Sequence, residues 1–121
     1  MEIALSLHGR VAVALVLYFA IVGLWGLVLG VRGLGPTAGF RGAIVVAEIG
    51  AVGQGLLGIA VFALGRSPEA IHVLYGFALA AAMPLAASLV RDRAPRGQTV
   101  ALGFAALFAA GLAVRGITTA R

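Results

Sequence analysis

Residues 43–65 read AIVVAEIGAVGQGLLGIAVFALG. Inside them GQGLLG, Gly53 to Gly58, matches the G-x-G-x-x-G of a dinucleotide-binding turn, and AIVVAEIGAV before it passes for a β-strand. That fingerprint also needs a soluble strand–turn–helix unit and an acidic residue about 20 positions on for the ribose. The next acid downstream is Glu69, in a short connection ahead of another apolar run. Read instead as one helix, the stretch places Gly50, Gly53, Gly55 and Gly58 in an uncharged segment, with Ala47, Ala51 and Gly55 at spacing four. Small residues let helix backbones approach closely in lipid. The glycines are therefore expected to serve helix packing, as are Gly23, Gly26 and Gly30 earlier in the chain.

The rest of the sequence repeats the pattern. Neutral runs between charged residues cover 11–31, 49–65, 70–90 and 97–114, which is 21, 17, 21 and 18 residues. The second extends to 42–65 if Glu48 is admitted. About 20 helical residues cross the ~30 Å hydrocarbon core of a bilayer. The connections carry breakers and starts: Gly33, Gly35, Pro36 and Gly39 in the first, Ser67 as N-cap with Pro68 at the first helical position in the second, and Pro95 in the third. Connections this short make neighbouring helices antiparallel. The expected fold is an all-α membrane protein, one domain over 1–121, built as a four-transmembrane-helix up-down-up-down bundle with spans near 8–31, 42–65, 69–90 and 97–116.

Composition agrees. The chain is 62% hydrophobic and 11% charged, against roughly 25% charged in an ordinary soluble domain. All nine cations are Arg. They flank the apolar runs without an interleaved stacking face, so the net charge of +5 reads as membrane-flanking, with the lipid bilayer and not nucleic acid as partner. Cys is absent, which removes disulfides, thiolate clusters and covalent c-type haem attachment. The first apolar run has no basic residue ahead of it and is expected to be retained, not cleaved. Arg32, Arg41, Arg91, Arg93 and Arg96 stand on one side, and Arg10, Arg66, Arg115 and Arg121 on the other. Five against four favours a multi-pass protein of a bacterial inner membrane with both termini extracytoplasmic.

Few polar side chains are left to carry chemistry. His8 precedes the first span and His72 opens the third, so both imidazoles are expected at one membrane face. Arg10 and Arg115 share that face. A b-type haem needs two axial His from different helices, room for a flat macrocycle and cations near its propionates. Gly9 and Gly76 would leave that room, and Tyr75 would hydrogen-bond at the rim. A haem protein of this size would need a quinone or respiratory-complex partner. Glu48 is the alternative site: a carboxylate inside a span is costly, and it must be protonated, paired or reached by water. It would suit a small proton-coupled transporter, working as a homodimer. Placed by counting along the chain, it is expected at the face opposite the histidines. A third reading is a non-catalytic accessory subunit. No nucleophile–base pair or carboxylate dyad appears, so the chain is not expected to be an enzyme on its own.

Overall fold

A computed structural model describes residues 2–65 and 67–119. It contains four helices: α1 (Glu2–Val31), α2 (Ala38–Ala63), α3 (Ala70–Leu89) and α4 (Pro95–Thr118). Each is long and apolar enough to span a membrane. The 30 residues of α1 reach ~45 Å at ~1.5 Å each. Helix α2 runs unbroken through GQGLLG, so the opening motif is neither strand nor phosphate-binding turn. Arg66 and Arg121, counted above for orientation, lie outside the described residues.

The helices close a ring in which α1 packs on α2 and α4, and α3 on the same two. The tightest seam joins α1 to α4. A methyl group at Gly26 would lie 2.8 Å from the Gly103 Cα, and one at Gly23 would lie 2.9 Å from the Gly103 carbonyl oxygen. One at Gly30 would collide with Val100. The partners step backward along α4 as α1 advances. The glycines of the second run behave otherwise. Ala47 and Ala51 are buried, and a methyl at Gly50 would meet Leu15 at 2.9 Å. Gly53 and Gly55, however, face open space. The expectation that all of them pack is thus corrected: they lie on different sides of α2, and only some of those sides meet a neighbour.

Hydrogen bonds fix the ends. Gly33, at φ +75°, closes α1: its N–H bonds the Gly30 carbonyl at 3.0 Å and the Leu34 N–H bonds that of Leu29 at 2.9 Å. Arg96 Nε also donates to the Gly30 carbonyl, at 2.7 Å. Thr37 caps α2, its Oγ1 accepting from the Phe40 N–H at 3.1 Å. Thr99, fully buried, shares its hydroxyl proton between the carbonyls of Leu34 (2.9 Å) and Pro95 (3.0 Å), tying the first connection to α4. Pro95 opens α4 as expected. Helix α3 does not start at Pro68. Its N-cap is Glu69 in extended conformation, whose carbonyl takes the first helical bonds from the N–H groups of His72 and Val73. Ser67 precedes a proline, a position biased toward extended backbone, and it lies ahead of the cap.

Many large apolar side chains point outward: Phe77 is 73% exposed and Phe108 64%. The interior combines a few large ones, Phe19, Phe40 and Met83, with small ones, Ala47, Ala51, Ala106 and Ala109 among them. An apolar exterior of this kind suits a bundle whose outside is covered by lipid tails. Overpacking a tight seam costs about 1–3 kcal/mol. Gly26→Leu should therefore lower the melting temperature in detergent and shift the protein toward aggregate on size exclusion, whereas Gly53→Leu should match the parent. Equal behaviour of the two would contradict the seam.

Candidate functional site

Helices α1 and α3 are diagonal in the ring, yet His8 and His72 meet across it. Their ring centroids are 6.0 Å apart and their planes 82° from parallel. Helix α1 begins at Glu2, so His8 lies inside it and not before it, while His72 is the third residue of α3. Both rings are partly buried.

Each histidine is held by a group that counting along the sequence did not single out. The Nδ1–H of His72 donates to the Gly116 carbonyl near the end of α4, at 2.8 Å. A carbonyl can only accept, so this bond places a proton on Nδ1, and in the neutral ring the Nε2 lone pair is then free. A backbone carbonyl on the far nitrogen is a common support for a metal-binding imidazole. On the other side Gln54 Nε2 donates to the His8 backbone carbonyl at 2.8 Å, fastening α2 to α1. His8 Nδ1 and Gln54 Oε1 are buried without a hydrogen-bond partner among the described residues. A buried orphan of this kind costs about 1–3 kcal/mol. Gly58 closes the layer: a methyl there would touch His8 Cε1 at 3.4 Å.

The remaining expected residues fall around this layer. The Arg115 guanidinium lies 5.7 Å from the centre of the Tyr75 ring, a cation–π contact joining α4 to α3. Gly9 and Gly76 face open space, and Arg10 is exposed. Glu48 is not part of the layer. Gly50, two residues on, lies against Leu15 in the middle stretch of α1. Six residues separate Glu48 from Gln54, roughly 9 Å along α2. It therefore stands near mid-length in the bundle, not at the face opposite the histidines, and its Oε1 is buried with no partner among the described residues. Among the described residues no group of three or more His, Cys, Asp or Glu gathers for a metal ion. Any metal held here would rest on the histidine pair.

Gln54 carries the one signal that could have been read earlier: an amide inside an apolar helix, one turn before Gly58. Gly116 gave none, because it acts through its backbone. Comparison of the chain with protein-family models, curated proteins and solved structures finds no match.

The bond to Gly116 fixes a tautomer, and nitrogen-15 NMR of labelled protein prepared without cofactor can read it. At a pH where the ring is neutral, His72 should appear as the Nδ1–H tautomer. A dominant Nε2–H signal would show that the bond is not made.

Proposed function

We propose that the chain is an up-down-up-down membrane bundle that binds one haem b between His8 and His72 and serves electron transfer as a small subunit. The observation that carries this reading is the facing pair itself. An imidazole nitrogen binds a first-row metal at about 2 Å, so a metal shared by two imidazoles holds their centroids roughly 6 Å apart. The pair stands near that separation at 6.0 Å, in an edge-on contact with the ring planes 82° apart. It also joins two different helices, and with Nδ1–H on the Gly116 carbonyl a neutral His72 would offer its Nε2 to a metal.

The surroundings suit such a group. Open space at Gly9 and Gly76 accommodates a flat ring, and Arg10 and Arg115 supply positive charge for propionates. Haem would bring one-electron chemistry. The chain's part would be to supply the two imidazoles, hold the His72 proton on Nδ1 and screen the pair with apolar side chains. One haem near one end cannot carry electrons across a bilayer alone, so a quinone or respiratory-complex partner belongs to the proposal. The arginine distribution is the support for placing the chain in a bacterial inner membrane with extracytoplasmic termini.

A second reading rests on Glu48, whose buried, unpartnered oxygen at mid-depth is what a proton-coupled carrier would use. An accessory-subunit role draws on the open faces at Gly53 and Gly55.

Oxidised and dithionite-reduced visible spectra of protein expressed with haem separate these readings. A sharp reduced α-band should appear, vanish in His8→Ala and in His72→Ala, and survive in Glu48→Gln. A protein that stays colourless and takes up no added haem removes the haem reading. Loss of pH-dependent uptake in Glu48→Gln would then favour the carrier.

A further inference from the structure

At the end of the bundle away from the histidines, a cleft of about 400 Å³ opens between α2, α3 and α4. Its polar lining is Arg41, Ser88, Arg91 and Gln98, and Pro84 and Leu102 are among its apolar walls. No carboxylate lines it. Arg41 stands in the first turn of α2, and Arg91 directly follows the Val90 cap of α3. Gln98 braces this corner: its Nε2 donates to the carbonyls of Arg91 at 3.2 Å and Arg93 at 2.9 Å. The neighbouring Arg96 is committed elsewhere, to the end of α1.

The lining changes character with depth. Pro84 lies seven residues before Arg91 and Leu102 seven after Pro95, each roughly 10 Å further into the bundle at ~1.5 Å per residue. Guanidiniums and a hydroxyl near the end of the bundle thus give way to an apolar floor, an order that would match the headgroup and acyl levels of a bilayer. Two arginines can grip one phosphate through forked N–H groups, and basic clefts between membrane helices take anionic headgroups. A free phosphate would make no use of the apolar floor.

We propose that this cleft binds the headgroup and glycerol of an anionic phospholipid, its phosphate held between Arg41 and Arg91. The inference rests on the membrane reading but is independent of haem, since the two sites lie at opposite ends and are read by different signals. Lipid occupancy there would link α2, α3 and α4 where α2 and α3 are otherwise joined by no side-chain hydrogen bond among the described contacts.

The test is native mass spectrometry of the full chain released from nanodiscs of phosphatidylcholine containing a minority of phosphatidylglycerol. One phosphatidylglycerol should be retained, preferred over phosphatidylcholine by roughly tenfold or more. That preference should be lost in the Arg41→Gln, Arg91→Gln double variant and kept in Arg93→Gln. Equal retention of the two lipids would overturn the proposal, as would an equal loss in Arg93→Gln, which would mean diffuse attraction. Displacement of the lipid by inorganic phosphate would reduce the cleft to a simple anion site. On the unmodified chain, adding phosphatidylglycerol should raise the melting temperature and saturate at one lipid per chain; no rise also overturns it.

Discussion

The close approach of α1 and α4 through Gly23, Gly26, Gly30 and Gly103 is the contact on which the rest of the arrangement depends. Between two helices in lipid there is no hydrophobic force to gain, because the tails are as apolar as leucine. Association then relies on van der Waals contact, and glycine lets backbone meet backbone. Once that seam is set, the two ends of α4 have fixed places. Its first turns take Thr99 and Arg96 to the carbonyls that follow and finish α1. Its last turns bring the Gly116 carbonyl to His72, and with it the start of α3. The facing of His8 and His72 across the diagonal is the outcome of those links.

The polar groups that remain are sorted by depth. The histidine layer, with Gln54 and the Tyr75–Arg115 contact, occupies the end where α1 and α3 begin. Glu48 stands alone near mid-length. The arginine cleft marks the opposite end. A bundle organised this way has one candidate redox or ligand layer, one isolated acid and one candidate anchoring surface. It does not have a single merged site.

Helix existence was legible from the residues because uninterrupted apolar runs of bilayer length admit little else, and Pro95 acts locally. The glycines show where such reading stops. Gly26 and Gly53 look alike in sequence, but one sits in a seam and the other faces open space. Which side of a helix meets a neighbour is decided by the other three helices. The histidine pair was legible as two groups at one end, since helix direction follows from connection length. Their facing geometry was not, because it depends on a backbone carbonyl and on Gln54, and no side-chain pattern encodes the first. The start of α3 was misplaced for a local reason: Ser67 and Pro68 resemble a cap and first turn, yet Glu69 takes the capping conformation.

The most direct check on the central arrangement uses the absence of cysteine in the chain. Spin labels attached to His8→Cys and His72→Cys together, in protein reconstituted into lipid, should give a continuous-wave EPR spectrum strongly broadened by dipolar coupling relative to the two single variants. That result requires the two helix segments to meet across the bundle. A spectrum equal to the sum of the single-labelled spectra would contradict the paired site, and the haem reading with it.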